Sequence, residues 1–222
     1  MKYSFPVTCN CGEVFQVPVA GSKFPRSAEC PKCESSIWLI APLGNLVAMA
    51  ILSRAATELL KNGDWTLAIV LSAMAIECDL AFLFMKWKRI DKGLPTDADE
   101  EGWENEWRDI RGIAAQLEAV SVLLTGKSFD AFVYQNTARL ATIRAEYLTF
   151  MSTASAKVLF VEELFRRRNK IAHFGKIDFE QPDAEVCFEL ATRLSKILAA
   201  MDSERNNALK LNHSIQAQAP SQ

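Results

Sequence analysis

The stretch from Lys157 to Lys176, KVLFVEELFRRRNKIAHFGK, gathers three arginines, an asparagine and a histidine into one segment of helical periodicity. An imidazole with an ordinary pKa near ~6.5 can take or give a proton at neutral pH. A guanidinium can hold an anion and offset charge that develops on it. At about 100° per residue, Val161, Leu164, Phe165, Ile171 and Ala172 form an apolar stripe, and Arg168 projects from its middle. Glu163, Arg167 and Lys170 fall on the opposite face, so Arg167 reads as solvated surface. Glu162, Arg166, Asn169 and His173 share a third edge. Arg166, Arg168, Asn169 and His173 are therefore the candidates for chemistry, and Gly175 sits where a C-terminal stop belongs. The plainer alternative is that Arg168 lays its stem over the core and pairs with a carboxylate, while His173 complements the helix dipole.

Arg168-Asn169-x-x-x-His173, followed by Phe174-Gly175, resembles the Arg-x(4–6)-His motif of the HEPN superfamily of all-helical domains, most often written Arg-Asn-x-x-x-His. Arg168, Asn169 and His173 stand at its three defining positions, and Arg166 and Arg167 also satisfy the looser spacing. The segment Ala75 to Leu80, AIECDL, is similar to the acid-bearing core helix of that superfamily, which makes Glu77 the natural internal partner of Arg168. The pair would either lock the bundle or support catalysis. The resemblance implies a metal-independent endoribonuclease acting as a homodimer, with two motif helices facing each other across one RNA-binding cleft. His173 would then take the 2′-hydroxyl proton or protonate the leaving 5′-oxygen, and Arg168 would hold the phosphate. One imidazole cannot easily be acid and base at once, so two copies of His173 would divide the roles. The setting would be defence or toxin-type RNA cleavage, with a regulatory protein as a further partner. The competing reading is a HEPN and zinc-ribbon module that binds nucleic acid or protein without turnover.

A second constellation lies near the N-terminus. Cys9-x-Cys11-Gly12 and Cys30-Pro31-x-Cys33 are two short cysteine pairs separated by a stretch of strand character, VFQVPV. Four thiolates from two tight turns suit tetrahedral Zn2+, here a structural ion. Two disulfides would instead need an oxidising compartment that nothing in the chain suggests. The module resembles zinc ribbons that read Cys-Gly-x-x-Phe-x-Val-Pro before a later Cys-Pro-x-Cys, with a tighter first pair than is usual. Cys78 and Cys187 fall in apolar helical stretches and read as core residues.

The elements that must position these groups follow from the remaining pattern. The expected class is mainly α, a helical bundle preceded by a small β module: residues 1–41 as the zinc ribbon, 42–202 as the helical domain, 203–222 as a disordered tail. One helix from Asn45 to Lys61 should end at Asn62-Gly63, with Asp64 capping a second, central helix from Trp65 to about Lys88. Asp91 to Gly102 reads as an acidic loop. Residues 103–150 read as two helices, Trp103 to Leu124 and Phe129 to Phe150, inserted relative to a minimal bundle. Gln181-Pro182-Asp183 starts the last helix.

Composition excludes several classes. The net charge of −2 rules out an overall basic polyanion binder, yet residues 157–176 hold six basic residues against Glu162 and Glu163. The apolar run Leu67 to Met85 contains Glu77 and Asp79, each costing about 2.5–3.5 kcal/mol at a bilayer centre, so it is expected to be a core helix and no membrane partner is expected. No charged segment followed by an apolar run opens the chain, so a cytoplasmic location is expected. No Gly-rich phosphate loop or nucleophile elbow supports a transferase.

Overall fold

Asn62 and Gly63 end one helical segment and Asp64 begins the next, and this corner fixes how the central helix enters the bundle. Gly63 adopts φ +68° and returns its N–H to the Glu58 carbonyl, and Asp64 accepts a hydrogen bond from the Leu67 N–H at 2.9 Å. The computed structural model describes residues 3–9, 11–19, 27–38, 43–136, 156–175 and 177–218. The chain divides into two units, Met1–Gly44 and Asn45–Gln222.

The first unit is built from two antiparallel hairpins. Strand β1 (Tyr3–Thr8) pairs with β2 (Val14–Val19), Tyr3 opposite Val19 and Thr8 opposite Val14. Strand β3 (Ser27–Glu29) pairs with β4 (Ser36–Trp38). Pairs this short bury little apolar surface, so whatever fixes the turns between them carries much of the unit's order.

The second unit is helical. Helix α1 (Leu43–Thr57) runs into a π turn at Glu58–Asn62, and α2 (Trp65–Lys92) follows. Among the described residues α2 is the one helix long and apolar enough to cross a membrane, and 56% of its apolar window is buried inside the bundle. Ile69, Ile76, Leu80 and Trp87 are fully buried along it. Burial at that level contributes about 1.5–3 kcal/mol per large side chain and marks α2 as the core helix.

The acidic segment departs from expectation. In place of a loop followed by one long helix, the chain forms α3 (Asp97–Asp109) and α4 (Ile113–Thr125), divided at Gly112 with φ +84°. Thr96 and Asp99 exchange hydrogen bonds in a capping box, with the Asp99 N–H donating to Thr96 Oγ1 at 3.2 Å and the Thr96 N–H donating to Asp99 at 2.9 Å. Asp97, Asp99 and Glu100 then lie in the first turn, where negative charge favours the dipole. Arg89 to Glu100 (2.9 Å) and Lys88 to Glu106 (2.8 Å) tie α3 to α2. Helix α5 (Phe129–Gln135) buries Phe129, Phe132 and Val133 completely, and α4 does the same with Leu117 and Val120. Both belong to the single core of the bundle. The expected continuation of α5 to Phe150 lies outside the described residues.

After α6 (Ala156–Phe160), a π turn at Val161–Phe165 and α7 (Arg166–Phe174), the last helix α8 spans Gln181–Gln218. A disordered tail was expected from Ser203. The helix continues instead, because Arg205 bonds Asp91 at 2.7 Å, donates to the Leu123 carbonyl and lies over the Trp87 ring at 4.9 Å. Helix α8 is fastened to α2 further up as well. Asp202 accepts from Lys86 and from the Trp87 indole N–H, each at 2.7 Å.

Candidate functional site

The segment carrying the three arginines is held from both ends. Asp130 accepts the Lys157 N–H at 2.8 Å, and at the far end Gly175, at φ +61°, returns its N–H to the Ile171 carbonyl. Between them Leu159, Phe160, Leu164 and Phe165 are buried, whereas Val158 and Ala172 are exposed and Ile171 is half-buried. The π turn accounts for this mixed pattern. The Arg166 N–H bonds the Val161 carbonyl, five residues back, so the apolar stripe changes phase just before α7.

Arg168 reaches α2. Its Nη2 donates to both oxygens of Glu77 at 2.6 and 2.8 Å, and its Nη1 donates to Asn169 Oδ1 at 2.9 Å. The two charged side chains are 28% and 34% exposed. A guanidinium has five N–H donors. Glu77 engages Nη2 and Asn169 takes one donor of Nη1, so the Nε–H and the second Nη1–H are without a partner among the described residues. A guanidinium only donates, so Asn169 must turn its oxygen toward Arg168, which leaves its amide NH2 to donate elsewhere. His173 is exposed one turn beyond Asn169 and has no hydrogen-bond partner among the described residues. Arg168, Asn169 and Glu77 are thus brought together, and His173 shares the Asn169 edge. Arg166 stands apart, 67% exposed and, among the described residues, paired only with Glu162 at 2.7 Å.

Arg167 was expected to face solvent and does not. Its side chain is 22% exposed, with Nη1 donating to the Glu163 carbonyl at 2.7 Å and pairing with the Glu163 carboxylate, and Nε donating to Asp183 at 3.2 Å. Helix α8 packs alongside this face, and the buried Cys187 donates to the same Glu163 carbonyl at 3.6 Å. Arg167 is a bracket between α7 and α8. Burial pushes the Cys187 thiol up to about 12, in keeping with a core residue.

Asp79, two residues from Glu77, is 4% exposed and accepts a 2.9 Å hydrogen bond from Ser195 on α8. Burial pushes its carboxyl up to about 6, against the lowering effect of Ser195. Among the described residues no cation bonds Asp79 to offset that burial, and nothing in the sequence marks Asp79 apart from its place in an apolar run. A groove of about 480 Å3 runs beside α7, lined by Ile113, Val161, Phe165, Asn169, Lys170 and Phe174 together with Glu162 and Arg166.

In the first unit the sulfurs of Cys9, Cys11, Cys30 and Cys33 all lie within 4.8 Å of one another. Cys9 to Cys33 is 3.5 Å and Cys11 to Cys30 is 3.7 Å. A tetrahedral thiolate site with metal–sulfur bonds of about 2.3 Å has sulfur–sulfur edges of about 3.8 Å, so the spacing fits a metal ion. A disulfide would need ~2.05 Å. Each cysteine pair is folded as a tight knuckle. The Gly12 N–H bonds the Cys9 carbonyl (2.9 Å) with Gly12 at φ +85°, and the Glu34 N–H bonds the Cys30 carbonyl (2.9 Å) with Glu34 at φ +57°.

The electrostatics of the cluster point the same way. The Cys11 amide and the Ser35 hydroxyl hold the Cys9 thiol down at about 6. At Cys11 the amide of Glu13 lowers the pKa, but the sulfurs of Cys9, Cys33 and Cys30 outweigh it and push the thiol up to about 12. The Ser35 hydroxyl lowers the Cys33 thiol as well, so Cys9 and Cys33 ionise more readily than free thiols, as metal ligands must. The four cysteines could therefore hold a metal ion.

Comparison of the chain with family models, with curated proteins and with solved structures returns no match.

Proposed function

We propose that the chain is a HEPN-type endoribonuclease that cleaves RNA through the 2′-hydroxyl, with Arg168, Asn169 and His173 as its catalytic residues and Glu77 as the residue that positions Arg168. The observation that carries this reading is the Glu77–Arg168–Asn169 chain of hydrogen bonds. It links the two segments of the sequence that resemble the superfamily, 91 residues apart, and leaves Arg168 with donors to spare. Those donors would contact a phosphate oxygen and offset charge as it develops. His173, exposed and without a hydrogen-bond partner among the described residues, would move the proton.

Arg168 and His173 are five residues apart, about 140° around a helix, so one copy presents them on different sides. A homodimer across α7 resolves this, with both copies of His173 meeting one phosphodiester, one taking the 2′-hydroxyl proton and the other protonating the leaving 5′-oxygen, while Arg168 holds the phosphate. Leu67 (36%), Met74 (40%) and Ile177 (75%) are exposed apolar residues on α2 and just beyond α7, in keeping with a covered face. Arg166 is set aside as the motif arginine because, among the described residues, it bonds only Glu162, one turn back on the same helical segment. The cysteine cluster is assigned to structural zinc on the tetrahedral fit of its sulfurs. When bound, zinc would hold the two knuckles together, and no step of the RNA chemistry is assigned to it.

Incubation with mixed RNA in EDTA should give products with 2′,3′-cyclic phosphate ends. His173→Ala should abolish cleavage with no loss of thermal stability, since the side chain is exposed. Arg168→Ala should cost at least about a hundredfold. Equal inertness of wild type and His173→Ala, with RNA binding kept by both, would replace this reading with that of a non-catalytic binding module.

A further inference from the structure

The groove beside α7 lies on the polar edge of that helix, and its composition is specific. Ile113 from the start of α4, Val161 and Phe165 from the π turn, and Phe174 from the end of α7 supply its apolar surface. Phe174 is 82% exposed, an aromatic ring with one face to solvent at the mouth of a cavity. The rim is Arg166, Asn169, Lys170 and Glu162. Arg166 and Lys170 against Glu162 leave one positive charge in excess. Lys170 has no ion-pair partner among the described residues, and the bond between Arg166 and Glu162 is a solvent-exposed pair within one helix, which a phosphate can displace. Asn169 faces the groove with a donor, because Arg168 occupies its oxygen.

We infer that this groove is a subsite for one unpaired nucleobase of a single-stranded RNA, next to the phosphate that is cut. The base stacks on Phe174 against Ile113 and Val161, accepts a hydrogen bond from Asn169 Nδ2 on its edge, and the adjoining phosphate sits on Lys170 and Arg166. Stacking tolerates any base. The donor at Asn169 adds a preference for a base that presents an acceptor there. Duplex RNA cannot supply such a base, so the subsite also sets a requirement for single strands. The inference rests on RNA as the ligand of the neighbouring catalytic residues.

The test uses the full chain and a single-stranded 2′-O-methyl oligonucleotide carrying 2-aminopurine, which cannot be cleaved and loses fluorescence when its base stacks. Wild type should quench it, and Phe174→Ala should weaken binding about ten- to a hundredfold, the usual cost of one stacking ring. Phe174→Tyr should restore it. Lys170→Ala should lower the salt dependence of binding by about one phosphate contact. Thermal melts should be unchanged for Phe174→Ala, since the ring is exposed. Binding without quenching, or equal binding by wild type and Phe174→Ala, overturns the subsite even if the protein cleaves RNA. Quenching that depends on Phe174 supports it even if no cleavage is found, so the two readings fail separately. If Phe174→Ala instead turns a dimer into a monomer and leaves oligonucleotide binding intact, the groove is a subunit contact and the inference is wrong.

Discussion

Replacing Glu77 by Gln keeps the size of the side chain that meets Arg168 and removes its charge. Two unit charges about 4 Å apart attract by about 4 kcal/mol at an effective dielectric constant of ~20. Each side chain here is about a third exposed, so solvent screens part of that attraction and desolvation offsets more. The bond still has short, charge-assisted geometry, one nitrogen spanning two oxygens at 2.6 and 2.8 Å. A coupling energy of about 1–2 kcal/mol follows, between that of a free surface pair and that of a fully buried one. It would be measured by urea denaturation of wild type, Glu77→Gln, Arg168→Met and the double variant. A coupling below about 0.3 kcal/mol would show that the pair does not fix Arg168, and the positioning role of Glu77 would fall with it. The same variants separate stability from function. Glu77→Gln should slow cleavage about tenfold under conditions where it remains folded, whereas Arg168→Lys should keep the tie to Glu77 and lose Asn169, since one ammonium cannot form both bonds in the guanidinium geometry.

Arg167→Ala should destabilise the fold by about 1–2 kcal/mol in the same assay, because it strips Glu163 and Asp183 of a half-buried partner, while Arg166→Ala should stay within about 0.5 kcal/mol. For Asp79, the carboxyl near 6 in the folded chain lies above its ordinary 3.8, so the native state keeps a proton that the unfolded chain releases. Stability is then fully present below about pH 4, falls as pH rises to about 6 and is flat beyond. About two units at 1.36 kcal/mol each set a ceiling of about 3 kcal/mol. Asp79→Asn should raise Tm at pH 8 and change it little at pH 4, and an unchanged Tm at pH 8 would contradict the burial argument. Elemental analysis should find about one zinc per chain, lost in Cys30→Ser; a protein free of metal with Cys9 and Cys33 in a disulfide would refute the tetrahedral assignment.

The corner at Asn62-Gly63-Asp64 and the stop at Gly175 were legible because each depends on residue type and helical spacing alone, whereas the pairing of Glu77 with Arg168 was expected only from the resemblance of AIECDL to an acid-bearing core helix. The convergence of the cysteines was legible from their spacing, two short pairs that each occupy a tight turn and together offer four thiolates. Arg167 was misread because its surroundings are set by the return of the chain at the start of α8 and by a break in helical phase that no single residue announces. The capping box at Thr96 carries Asp where Glu or Gln is the usual sign, and so a helix passed for a loop. The last helix was cut short because its polar composition hid two docking residues, Arg205 and Leu209.

The π turn at Val161–Phe165 works like the index mark on a dial. It holds one residue more than an α turn would over the same rise, so all that follows is rotated by about 100° relative to what precedes. Leu159 and Phe160 point into the core on one side of the mark, and Arg168 meets Glu77 on the other. Shortening the chain by one residue within those five positions would let the helix relax to regular winding, and both settings could no longer hold together. Either the aromatic anchor would leave the core or Arg168 would swing away from α2. Substitutions there should be tolerated according to size and polarity, but a change of length should not, so the alignment of this motif is written in the count of residues ahead of it.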